Sequence, residues 1–101
     1  MARSKAHLFD PNDQLTSIFA RALSHPARLY ILRYLSNSGP CTVETLLKFC
    51  PLSQPALSQH LKILREVQLV SYVEKYPHTY YSLEGIKFEL AKAKLSGFFK
   101  Q

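Results

Sequence analysis

The chain has 101 residues, a formal net charge of +6 and only two cysteines. Its length suits one domain, residues 1–101, and its 47% of hydrophobic residues is typical of a globular protein. No apolar run approaches the ~20 residues of a membrane span, and the first residues lack the apolar centre of a signal peptide. We therefore expect a reduced, cytoplasmic protein whose basic surface suits a polyanionic partner.

The first part of the chain predicts an arm and two helices. Residues 1–11 are expected to form a flexible arm. Apolar side chains then recur at helical spacing over residues 12–23, and these are Leu15, Ile18, Phe19 and Ala22. Pro26 suits the first position of a second helix, and the stretch 36–40, which contains Gly39 and Pro40, is expected to end it.

A short third helix and a fourth helix follow with little chain between them. Thr42 is a suitable cap for a helix over residues 43–49, and Cys50-Pro51-Leu52 predicts a tight turn before Ser53. Two helices joined by about four residues match the helix-turn-helix pattern. Short helices joined by tight turns also occur in other all-α domains, so the spacing needs support from the fourth helix itself.

The fourth helix combines an apolar stripe with a polar, basic face. Leu57, Leu61 and Leu64 recur at helical spacing, while other positions carry the polar side chains of Gln54, Ser58, Gln59, Lys62 and Arg65. Glutamine can pair with adenine through two hydrogen bonds, and lysine and arginine bind phosphates, so this face suits the major groove of DNA. The alternative interpretation is an ordinary amphipathic surface helix.

A change of period after the fourth helix predicts a β-hairpin. Residues 69–83 are rich in valine, tyrosine and leucine, and Tyr76-Pro77-His78 marks a turn in their middle. A hairpin that follows a helix-turn-helix is a wing, and residues 84–99 then predict a last helix. The expected fold is mainly α with a small β-hairpin (α+β), a winged helix of about five helices and a two-stranded wing.

Four motifs in this order resemble the ArsR/SmtB family of bacterial winged-helix repressors. They lie at residues 23–32, 52–64, 69–70 and 80–83, and the resemblance covers about residues 14–99. It implies a homodimer joined through the first and last helices, residues 12–23 and 84–99. The expected interface residues are Leu15, Ile18, Phe19, Ala22, Phe88, Ala91, Leu95 and Phe98.

Several residues depart from the family pattern. His25 occupies the position of a capping aspartate, so Ser24 or His25 is expected to cap the second helix. Gln68 stands where glycine commonly ends the recognition helix, and left-handed geometry there costs a non-glycine residue roughly 1 kcal/mol. Pro77 and His78 replace a glycine-bearing wing tip, which predicts a shorter or differently shaped wing.

The resemblance also locates the family's metal-binding positions, and they have lost their ligands. Thr42 and Glu44 stand where the family has cysteines, and residues 84–101 contain neither histidine nor aspartate. We therefore expect no metal and no cofactor. Cys41 and Cys50 are expected to be buried structural thiols, although an intermolecular disulfide stays open as an alternative.

These observations predict a sequence-specific DNA-binding regulator, a repressor that acts as a homodimer on an inverted repeat. The expected contacts to double-stranded DNA are Gln54, Pro55, Ser58, Gln59, His60, Lys62, Arg65, Lys75 and His78. His60 has an alternative role as a polar tether within the domain, and for Arg28 we expect a role within the second helix rather than a contact to DNA. The competing function is a winged helix for protein or RNA contact; no catalytic arrangement points to an enzyme.

Overall fold

The computed structural model describes residue 5 and residues 8–101. These residues form five helices and one three-stranded antiparallel sheet, and the predicted winged helix is confirmed. In chain order they are α1 (Pro11–Ala22), α2 (Pro26–Ser38), β1 (Cys41–Thr42), α3 (Val43–Phe49), α4 (Gln54–Glu66), β2 (Val70–Lys75), β3 (His78–Leu83) and α5 (Gly85–Phe99). Most of the predicted arm, residues 1–4, 6 and 7, lies outside the described residues.

The first two helices begin with the same N-terminal arrangement, a side-chain cap followed by proline. Asp10 accepts a hydrogen bond from the backbone N–H of Asn12 at 2.6 Å, and His25 Nδ1 accepts one from Ala27 at 3.0 Å. Proline at the next position loses no helical hydrogen bond, because that N–H has no partner within the helix. α1 therefore starts at Pro11, one residue before the predicted start.

The sheet contains one strand more than the predicted wing. β3 lies in the centre and pairs with β2 on one side and with the two-residue strand β1 on the other. In this register Lys75 pairs with His78 at the wing tip, and Cys41 pairs with Tyr81. β1 ties the chain before α3 to the base of the wing, so the helix-turn-helix and the wing share one sheet.

Helix α4 ends in a left-handed residue, as its sequence position predicts. Gln68 has φ 63°, its N–H donates to the carbonyl of Arg65, and the N–H of Leu69 donates to the carbonyl of Leu64. This pair of hydrogen bonds is a Schellman motif, which satisfies the last carbonyls of a helix. The motif keeps its geometry without glycine, and it turns the chain directly from α4 into β2.

The core lies between the helices and the inner side of the sheet. Its fully buried side chains come from every helix except the last, and they include Phe19, Ile31, Leu35, Leu46, Leu57, Leu61 and Leu64. α5 adds the buried Ala91 and packs mainly along α1. None of the described helices is long and apolar enough to cross a membrane.

Candidate nucleic-acid interface

Helix α4 presents an uncovered polar face. Ser53 caps it through a 3.3 Å hydrogen bond from the N–H of Ala56, and Leu57, Leu61 and Leu64 anchor it in the core. Burial of these three leucines turns the opposite side of the helix outward. The exposed residues on that side are Gln54, Pro55, Ser58, Gln59 and Lys62, all of which were predicted to meet DNA.

His60 lies on a different side of α4 and is tied to α2. Its Nδ1 atom is 3.0 Å from Nη1 of Arg28, and its ring centroid is 4.4 Å from that of His25. A guanidinium can only donate, so Nδ1 accepts and the proton of neutral His60 resides on Nε2. Burial lowers the pKa of His60, and the neighbouring His25 and Arg28 lower this pKa further. The geometry fits the tether that the sequence left as an alternative.

Arg28 holds α1, α2 and α4 together. Only 8% of its surface is exposed, and its Nε donates to the carbonyl of Ala22 at 2.7 Å. Its Nη2 donates to the carbonyl of Arg21 at 3.3 Å, and Nη1 makes the bond to His60 described above. These bonds keep the guanidinium within the domain, but its partners lie on α1 and α4 and not within the second helix, where the role was expected.

Arg65 occupies the opposite flank of α4 and faces the wing. Its guanidinium carbon lies 5.0 Å from the ring centroid of Tyr72 in β2, a cation–π arrangement, and the residue is half-buried. The contact between Arg65 and Tyr72 could not be predicted from the sequence, because the spacing of residues along a helix does not determine which strand residue lies beside it. This contact sets Arg65 apart from Gln54, Pro55, Ser58, Gln59 and Lys62, which are exposed.

The wing carries an exposed lysine, an exposed histidine and an exposed aromatic ring at its tip. Lys75 and His78 face each other across the two-residue turn, and both are exposed. Tyr76, within that turn, is 100% exposed. The sequence predicts Tyr76 only as a turn residue, although an aromatic residue beside a turn proline is a signal that could single it out.

The residues predicted for the dimer interface fall into two groups. Phe19, Ala22 and Ala91 are buried within the protomer, and Leu15, Phe88 and Leu95 pack partly buried against the same core. The apolar stripes that predicted an interface are thus mainly the core-facing sides of α1 and α5. Ile18 and Phe98 remain 49% and 51% exposed, and Phe99, which was not predicted, is 81% exposed.

The two cysteines are buried in the protomer, and Thr42, at one of the family's metal-binding positions, caps a helix. Cys41 and Cys50 are free and buried, and burial raises the pKa of both thiols, which keeps them protonated. Thr42 Oγ1 accepts a hydrogen bond from the N–H of Thr45 and so caps α3. Within residue 5 and residues 8–101, no three histidine, cysteine, aspartate or glutamate side chains gather at a metal-binding distance.

The arrangement as a whole defines a winged helix-turn-helix protein. α3 and α4 are joined by the four residues 50–53, α4 presents a polar face, and the hairpin of β2 and β3 follows at once. Proteins of this class place the second helix of the pair in the major groove of DNA.

Comparison with known proteins identifies the family. Residues 25–72 match the family described as "Bacterial regulatory protein, arsR family". The chain is 35% identical to the transcriptional repressor SdpR of Bacillus subtilis over 63 residues, which span 62% of this chain and 69% of that protein. The structure of NolR from Sinorhizobium fredii superimposes with a TM-score of 0.69 at 31% identity, over 96% of this chain and 97% of the other. The transcriptional repressor BigR from Xylella fastidiosa gives 0.70 at 28%, over 97% of each chain.

The chain belongs to the ArsR family of bacterial regulatory proteins. It is a transcriptional regulator with a DNA-binding helix-turn-helix, and not an enzyme. The resemblance drawn from the sequence motifs is thereby confirmed.

Proposed function

We propose that the protein is a repressor that binds an inverted repeat in double-stranded DNA as a homodimer. The observation that carries this proposal is the exposed polar face of α4, where Gln54, Ser58 and Gln59 offer donors and acceptors and Lys62 offers a cation. The three polar side chains suit base edges, and the lysine suits a phosphate. From the wing, Lys75 and His78 contact the DNA backbone.

Arg65 and His60 take indirect roles in this proposal. His60 orients α4 through Arg28, and its Nε2–H is its remaining donor for a phosphate. Arg65 lies over Tyr72, so it links the recognition helix to the wing and contacts the backbone only at the edge of the site. The bases are therefore read by the first two turns of α4.

The homodimer is supported by apolar surface that one protomer leaves uncovered. α5 carries apolar side chains on several sides, yet its outer residues Phe98 and Phe99 face solvent, as does Ile18 of α1. Such exposed aromatic and aliphatic side chains mark an interaction surface. A two-fold axis through α1 and α5 would pair these surfaces and set two recognition helices on two half-sites.

The proposed regulator works without a resident metal. Thr42, at one of the family's thiolate positions, is engaged in the cap of α3, and Glu44, at the other, is exposed. A zinc site needs three or four protein ligands that converge on the ion, and of these two residues only Glu44 has a side chain of a kind that commonly binds zinc.

Selection from random duplex DNA tests the proposal directly. The protein should enrich a sequence with two-fold symmetry. Light scattering of the free protein should give twice the 11.6 kDa mass of one chain. The complex with that DNA should contain two protomers per duplex. Enrichment of an asymmetric site by a monomer would contradict the homodimer. Absence of any enriched sequence would favour protein or RNA contact instead.

A further inference from the structure

A cavity of about 640 Å³ opens where three functional elements meet. Its walls come from the C-terminal end of α4, the first residues of β2 and the first turn of α5. Pockets that hold small organic molecules span ~300–1,000 Å³, so the cavity has the size of a ligand site. The elements around it are the recognition helix, the wing and a helix of the proposed dimer interface.

Two cations in the wall have no anionic partner among the described residues. Arg65 and Lys87 both line the cavity, and neither forms an ion pair with any residue that the structure describes. The Nε atom of Arg65 is buried and lacks a hydrogen-bond partner in the same set of residues. Because Nε is covered, the donors that Arg65 can offer to a molecule in the cavity are the N–H groups of Nη1 and Nη2.

The remaining wall limits the charge and shape of that acceptor. Glu84 also lines the cavity and accepts a 2.8 Å hydrogen bond from Ser71, so the three charged side chains sum to one positive charge. A monoanion neutralises this net charge, whereas a dianion would leave the site with a net negative charge. Val70 and the 90% exposed Ile86 supply apolar surface, together with the ring of Tyr72.

We propose that this cavity binds a small organic monocarboxylate with an aromatic or aliphatic body, and that binding of this ligand lowers the affinity of the protein for operator DNA. The carboxylate accepts hydrogen bonds from Arg65 and lies near Lys87, while the body packs on Tyr72 and Ile86. Charge-assisted pairing of arginine with a carboxylate is among the strongest polar contacts in proteins.

The coupling to DNA rests on the proposed function and on the position of Arg65. This side chain connects α4 to β2 through its contact with Tyr72, and Gln68 of the Schellman motif lines the same cavity. A ligand that engages Arg65 alters the joint between the recognition helix and the wing. Both elements contact DNA in the proposed complex, so a change in their relative position lowers the affinity for the operator.

Titration of the DNA-free protein with benzoate tests the binding site. Benzoate should bind, while benzyl alcohol, which lacks the charge, and inorganic phosphate, which lacks the apolar body, should bind far more weakly. Arg65→Gln and Lys87→Gln should each weaken benzoate binding about tenfold or more. Lys92→Gln, an exposed α5 lysine outside the cavity, is the matched control and should bind as the wild type does.

Three results would overturn the site: no benzoate binding at millimolar concentration, equal binding of phosphate, or unchanged affinity in folded Arg65→Gln and Lys87→Gln. Circular dichroism establishes that the variants are folded. Because this titration contains no DNA, its outcome does not depend on whether the proposed function is correct.

A second titration tests the coupling. Benzoate should weaken operator binding, and the operator should weaken benzoate binding by the same factor, since binding linkage is reciprocal. Lys87→Gln should raise the benzoate concentration that weakens operator binding about tenfold or more. It should not change operator affinity without benzoate, because Lys87 is not a predicted DNA contact. Benzoate binding that leaves operator affinity unchanged would overturn the regulatory role, whereas failure to bind any DNA would refute the proposed function alone.

Discussion

Helices α4 and α5 both bury one side in the same core, but the sides they leave uncovered differ in chemistry. The outer side of α4 carries amides, a hydroxyl and a lysine, whereas the outer end of α5 carries Phe98 and Phe99. A polar face has little to gain from an apolar partner, and an exposed phenylalanine has little to gain from a phosphate. The uncovered side of each helix therefore suits the partner proposed for it, DNA for α4 and a second protomer for α5.

The largest expected effect is a difference in stability loss between two adjacent residues of α4, one on its buried side and one on its exposed side. Leu61→Ala removes a fully buried side chain and should lower the free energy of unfolding by about 2–5 kcal/mol. Lys62→Ala, its exposed neighbour, should change that free energy by no more than about 0.5 kcal/mol. Urea unfolding followed by circular dichroism measures both values. Similar losses in the two variants would mean that α4 does not pack through its leucine side.

The uncovered side of α5 is tested by placing a charge on it. Phe98→Asp should weaken the homodimer by about 2 kcal/mol or more, as expected for a buried aromatic residue of an interface, and light scattering should detect protomers. Asn37→Asp adds the same charge to an exposed position of α2 and should leave the mass unchanged. Leu95→Asp is a poorer choice, because Leu95 packs against the protomer core. A dimer that survives Phe98→Asp would exclude this residue from the interface.

The pH dependence of stability tests the flank of α4 that is tied to α2. Above pH 6.5, the ordinary pKa of histidine, His60 is neutral in both the folded and the unfolded chain. Between that pH and its lowered folded-state pKa, only the unfolded chain takes up the proton, so stability falls as the pH falls.

His60→Gln retains an acceptor for Arg28 but cannot take up a proton, so it is the matched variant. Its stability should fall less than that of the wild type between pH 7.5 and 5. Parallel curves for the two proteins would contradict a partly buried His60 that stays unprotonated in the folded chain. This effect is expected to be the smallest of those on stability.

The sequence predicted the polar face of α4 because helical period, cap and turn are local properties of the chain. Ser53, Pro55 and the three leucines determine where α4 begins and which side is buried. The same period could not distinguish His60 and Arg65 from the exposed residues, since both are polar and their partners Arg28 and Tyr72 lie on other elements.

The predicted dimer interface shows a second limit of local patterns. An apolar stripe predicts that a helix is covered on that side, but it does not say by which chain. Phe19, Ala22 and Ala91 are buried by other residues of the same protomer. The apolar surface left for a partner is therefore that of Ile18, Phe98 and Phe99. β1 was missed for a related reason, because two residues are too few to show an alternating pattern.

The central claim is that the exposed face of α4 reads DNA sequence, and a salt series on two variants tests it most directly. Gln54→Ala should weaken binding to the selected operator by about 1–3 kcal/mol and leave binding to scrambled DNA nearly unchanged. Lys62→Ala should weaken binding to both DNAs alike and lower the slope of log affinity against log salt by about 1 per protomer. If Gln54→Ala weakened both DNAs equally, or neither, α4 would not read bases, and the central claim would be contradicted.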